Sequence, residues 1–183
     1  MISIWTNTRI VVEAEMNLTE MFLAELESEA ARTRRAVEAV PLGKDDWKPH
    51  DKSMPLGRLA GLVAVMPSWV TLIIKQDELD LTPPPGQGQY QQPATNELPK
   101  VLDGHVEKAR ETLRGTTDDY LLTTNWRLRA GGQIVLDQPR HVVLRDTFLH
   151  LAHHRGQLTV YLRLLGQKVP AIYGPSADDS TFA

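Results

Sequence analysis

The sequence predicts an all-α protein, a four-helix bundle with a short β-hairpin before its last helix. Three observations carry that prediction. Four segments repeat apolar residues every three or four positions, the spacing of one buried helix face. Proline and glycine punctuate the connections between them. One stretch, NWRLRAGGQIVL, alternates instead around Gly131–Gly132, a pair able to take the positive φ of a tight hairpin turn.

The first helix is expected from about Asn17 to Val40, where Asn17 and Glu20 have capping-box spacing. Phe22, Leu26, Ala30, Thr33, Val37 and Val40 form its stripe, and Pro41 and Gly43 stop it. The second runs from about Pro55 to Gln76, with Ser53 as its cap and Leu56, Leu59, Val63, Met66, Val70 and Ile73 as its stripe. Pro67 falls inside it and should kink it, because the ring removes a backbone hydrogen bond and crowds the preceding turn. LTPPPGQGQYQQPAT then reads as an exposed, irregular connection. The third helix spans about Thr95 to Gly115, with Leu98, Leu102, His105, Ala109 and Thr112 on one face. The fourth, after the hairpin, spans about Gln138 to Leu165, with Pro139 in its first turn and Gly166 just past its end. Residues 167–183 are expected to be an extended, partly packed tail.

A chain of 183 residues suits a single domain. Its net charge of −3, without a basic patch, argues against nucleic-acid partners. With no cysteine, there is no disulfide framework, thiolate metal site or thiol nucleophile, so any metal must be held by histidine and carboxylate. No apolar run reaches the roughly 18 residues of a membrane span. MISIWTNTRIVVEAEM lacks the basic start and compact apolar block of a signal peptide. The expectation is a cytoplasmic protein that binds neither membrane nor nucleic acid.

The chemistry concentrates in HLAHHRGQ, His150 to Gln157, which holds three of the six histidines. At about 100° per residue, His150 and His154 lie only about 40° apart, one turn along the helix, and His153 rotates away. Val143, Thr147, Gln157 and Tyr161 share the arc of the pair, which should face the bundle interior at its edge. Such an i, i+4 pair can chelate one metal. The zincin pattern is absent, since Leu151 stands where HExxH needs its glutamate.

DWKPHDKSMPLGRLA, LRAGGQIVLDQPR and HLAHHRGQLTVYLRLLGQKVPAIYGPSADD resemble, in that order, the DinB/YfiT-like family. The resemblance covers most of the chain from about Met16 onward and makes residues 1–16 an N-terminal extension. It implies a four-helix bundle of up-down-down-up connectivity, commonly a homodimer, holding nickel or zinc with three histidines. Two of these match His150 and His154. The third comes from the second helix in a pattern close to S-M-x-L-G-x-L-A-x-H. Some relatives are S-transferases acting on low-molecular-weight thiols such as bacillithiol or mycothiol.

Here the sequence departs from that pattern. SMPLGRLAGL places Leu62 where the third histidine belongs, in step with the apolar stripe of Leu59 and Met66. His50 precedes the second helix and, at about 1.5 Å per residue, lies more than about 10 Å from the place of Leu62. His105, on the inner stripe of the third helix, is the better-placed substitute. Among other residues, Trp47 and Trp69 suit core packing or ligand stacking. Arg155 suits a salt bridge, and Gln157 a hydrogen bond that orients a histidine. Tyr161 suits either the core or a hydrogen bond at the site. The pairs Asp45–Asp46, Asp118–Asp119 and Asp178–Asp179 suit capping at turns and in the tail. Two functions follow: a metal-dependent enzyme of S-transferase or hydrolase type with an incomplete three-histidine site, or a non-catalytic, metal-free dimeric bundle that retains only the fold.

Overall fold

The computed structural model describes residues 17–82 and 91–181; the extension expected at 1–16 and most of the proline-rich connection lie outside them. The bundle is built from α1 (Leu18–Glu38), a bent pair α2 (Leu56–Val65) and α3 (Ser68–Lys75), α4 (Leu98–Arg114) and α6 (Arg140–Leu164), with a short α5 (Asp118–Thr123) between α4 and the hairpin. The stripes read from the sequence form the core: Phe22, Leu26, Leu59, Val63, Leu102, Leu144, Leu151 and Leu158 are all buried.

Local chemistry sets the helix ends. Asn17 caps α1, its side-chain oxygen accepting from the Glu20 amide at 2.8 Å. A second cap comes from 100 residues away, where the Asp118 carboxylate accepts from the Leu18 amide at 2.7 Å and the Thr19 amide at 2.9 Å. The expected Ser53 cap is not used. The first amides of α2, on Leu56 and Gly57, donate instead to the carbonyls of Trp47 (2.8 Å) and Asp45 (2.9 Å), so backbone replaces side chain. A Cβ at position 57 would sit 2.7 Å from Gln92 Nε2 and 2.9 Å from Asp45 Oδ1, so both side chains would have to move aside for any larger residue.

Pro67 does more than kink the second helix. It divides it into α2 and α3, which meet at 51°. No single helix among the described residues is long and apolar enough to cross a membrane, and the apolar residues of this bent pair face the core.

The hairpin forms as expected, with β2 (Asn125–Ala130) antiparallel to β3 (Gln133–Pro139) around Gly131 (φ 58°) and Gly132 (φ 77°). Pro139 closes β3 and precedes α6 rather than lying in its first turn. Two elements were not anticipated. One is α5. The other is β1 (Glu78–Asp80), which pairs parallel with β2 and gives a sheet of order β1-β2-β3. Arg140, 1% exposed at the start of α6, ties this region together. It donates to the carbonyls of Ile73 and Gln76 and to Asp77 Oδ1, closing the C-terminal end of α3 and setting where β1 begins.

After α6, Gly166 (φ 70°) turns the chain into the tail. The tail is docked by its acids: Asp178 accepts from the Val169 amide (2.9 Å) and Arg163 (2.5 Å), Asp179 from the Ala171 amide (3.0 Å).

Candidate functional site

Helix α6 brings His150 and His154 together, with 2.9 Å between their Nε2 atoms. The pair sits at the rim of the bundle, His150 exposed and His154 half-buried, rather than turned into its interior. The Trp69 ring of α3 lies against His150, with ring centroids 5.4 Å apart.

The protons of this cluster follow from its partners. Gln157 Oε1 can only accept, so His154 donates to it from Nδ1 (2.9 Å) and keeps a lone pair on Nε2. His150 Nε2 then carries the hydrogen donated to His154 Nε2. Gln157 Nε2 donates in turn to His153 Nε2 at 3.0 Å. The chain of donors runs one way, from His150 through His154 and Gln157 to His153. The role expected of Gln157, orienting a histidine, is therefore present, and His153 is tied to the cluster rather than standing aside. Burial, then His154 and His153, lower the pKa of His150 below its ordinary value, which favours the neutral ring a ligand must have.

Two nitrogen ligands about 2.1 Å from one tetrahedral ion are separated by about 3.4 Å, whereas the Nε2 atoms stand 2.9 Å apart in a direct hydrogen bond. The two nitrogens would hold an ion between them once the His150 Nε2 hydrogen is gone and the rings have turned apart. A three-histidine set does not fit. Leu62 is half-buried against the core, and no group of three or more His, Cys, Asp or Glu among the described residues is arranged to hold a metal. His105 is half-buried on α4, its pKa lowered by burial and then by Lys108, and it does not join the pair. The remaining histidines are engaged elsewhere: His50 Nδ1 accepts from the Lys52 amide in a local turn (3.1 Å), and His141 Nδ1 ties α6 to α5 by donating to the Leu121 carbonyl (3.1 Å).

Next to His150 opens a cavity of about 320 Å³ between α3, the sheet and the first half of α6. Trp69, Ile73, Leu79, Trp126, Leu136 and Val143 contribute its apolar wall, and Asp146, Thr147 and His150 its few polar groups. The sequence reading missed this cavity, although its two tryptophans, on a helix and at the head of the hairpin, were the available signal. Tyr161 is elsewhere, donating to the Met54 carbonyl (3.2 Å) and packing edge-on against Trp47.

Arg155 makes the salt bridge expected of it, and more. Its guanidinium, 1% exposed, donates to Glu29 Oε2 (2.5 Å), Thr33 Oγ1 (2.9 Å), the Glu29 carbonyl (3.2 Å) and Tyr173 Oη (2.6 Å). Tyr173 donates onward to Glu29 (3.0 Å), so the tail is fastened to α1 and α6 through one buried ion pair.

No curated protein matches the sequence. Among solved structures the fold is similar to a DinB-like protein from Bacillus cereus, at 22% identity and TM-score 0.64, covering 84% of this chain and 97% of that one. It is also similar to a DinB-like protein from Bacillus subtilis, at 19% identity and TM-score 0.60, covering 81% of this chain and 94% of that one. At these identities the structures speak to the fold alone. The model of the DinB family matches residues 15–181, nearly the whole chain, and this protein belongs to the DinB family.

Proposed function

We propose that this DinB-family protein is a metal-dependent enzyme of S-transferase or hydrolase type, working from a two-histidine site at the mouth of an apolar cavity. The observation that carries the reading is the convergence of the His150 and His154 Nε2 atoms at 2.9 Å, with Gln157 fixing the tautomer of His154. A nickel or zinc ion held by this pair supplies Lewis acidity toward a thiol or a water. Around it, Gln157 holds the proton of His154 at Nδ1, Trp69 restricts the His150 ring, and the cavity shields the apolar part of a substrate from water. A low-molecular-weight thiol is the proposed co-substrate and the cytoplasm the proposed location. Leu149, Val160 and Leu164 are exposed along one arc of α6, which supports a homodimer through that helix.

A second reading, a metal-free bundle that keeps only the fold, is favoured by Leu62 in place of a third ligand. Calorimetric titration of chelator-treated protein with nickel and zinc separates the two. The enzyme reading expects about one ion per chain, binding lost in His150→Ala, and at least a tenfold gain in Leu62→His, or about 1.4 kcal/mol. Binding only by Leu62→His would leave the second reading standing.

A further inference from the structure

The cavity beside His150 is graded in polarity from floor to mouth. Ile73, Trp126 and Val143 line it and are buried, so they form its floor. Leu81, Asp146 and His150 line it and are exposed, so they stand at its mouth. The floor offers a ligand no hydrogen bond. Thr147, the other buried lining residue, already donates its hydroxyl to the Val143 carbonyl (2.9 Å). The Trp126 indole nitrogen is buried within the wall and presents no surface to a ligand. A polar ligand atom lodged there would lose its water partners and gain none. Hydrogen-bonding groups are thus confined to the mouth, on Asp146 and His150. An apolar cavity of about 150 Å³ takes up benzene, so one of about 320 Å³ has room for a hydrocarbon of roughly ten carbons.

We propose that the substrate of this site is a molecule with a compact hydrocarbon body and a single polar end. The body, free of hydrogen-bonding atoms, fills the cavity against Trp69, Ile73, Trp126 and Val143, and the polar end stays at the mouth beside His150. The inference rests on the proposed reading of the cavity as the seat of the substrate's apolar part, and asks nothing of metal at the histidine pair. It is therefore tested with a chelator present, where failure of the metal reading has no effect on the result.

The probes are 1-octanol and 1,8-octanediol, chains of equal length with one polar end and with two. They are titrated into the full chain and followed by the indole resonances of Trp69 and Trp126 and the ring C–H resonances of His150. The expected result is one saturable step with octanol that moves all three residues. The diol, which must bring a second hydroxyl to the floor, binds at least about tenfold more weakly. Val143→Phe, which fills the floor, weakens octanol at least about fivefold. Equal affinity of the two alcohols for the natural chain, or no saturable change at Trp69 and Trp126, would overturn the proposal without recourse to any variant. Undiminished octanol binding by a folded Val143→Phe chain would overturn it as well.

Discussion

Adjacent residues of α6, His154 and Arg155, are built in opposite ways. Arg155 is closed off: it is 1% exposed, and Glu29, Thr33 and Tyr173 take up its donors. The His150–His154 pair is open: it lies at the rim, bordered by a cavity, held by Gln157, its own hydrogen bond and the Trp69 ring. A buried ion pair contributes mainly by being complete, because losing one partner strands the other charge. A histidine pair at the rim contributes little to stability, and its hydrogen bonds can be exchanged without stranding a buried charge. HLAHHRGQ therefore divides into a buried, structural arginine and an open histidine pair, and substitutions should separate them.

The largest effect belongs to the closed half. Glu29→Ala leaves Arg155 buried without its carboxylate and should cost about 3–5 kcal/mol in denaturant unfolding, whereas His154→Ala should change stability by no more than about 1 kcal/mol. Comparable losses from the two would erase the contrast. Next, Gln157→Leu frees the His154 tautomer and should weaken nickel or zinc binding about 10–100-fold with little loss of stability, as metal titration beside thermal unfolding will read. A smaller effect is expected of Tyr173→Phe, which removes the hydroxyl linking Arg155 to Glu29 and should cost about 1 kcal/mol. Hydrogen exchange should show the loosening confined to the tail around Ala171.

The smallest effect is a pH dependence of tail docking. Hydrogen bonds from the Ala171 amide, then from Thr181, lower the pKa of Asp179 from 3.8 to about 2. A carboxyl whose folded pKa is depressed stabilises fully above its unfolded value and loses that contribution as pH falls through the folded one. The tail should therefore stay docked at pH 4 and loosen toward about pH 2. Asp179→Asn should show no such acid step in exchange of the Ala171 amide.

Much of this contrast was legible before any coordinates. The i, i+4 spacing brought His150 and His154 together because helix geometry alone decides it. The stripes named the core, and Gly131–Gly132 named the turn. What stayed hidden depends on distant partners. Glu29 reads as an ordinary helix-surface glutamate until Arg155, 126 positions away, is placed against it. Asp118 reads as a local turn residue, yet it caps α1 from across the sequence. Strand β1 is three residues long and carries no alternation to detect. The cavity, beyond the hint of its two tryptophans, stayed hidden for the same reason, since its walls come from α3, all three strands and α6. Pro67 announced a break, but whether the helix bends or divides depended on how the core received both halves.

The open half of the motif is proposed as a two-histidine metal site. It is tested most directly by a crystal structure of the protein grown with nickel, with data collected on both sides of the nickel absorption edge. The prediction is an anomalous peak about 2.1 Å from the Nε2 atoms of both His150 and His154, absent in His150→Ala. A featureless map, with the two imidazoles still hydrogen-bonded directly to one another, would contradict it.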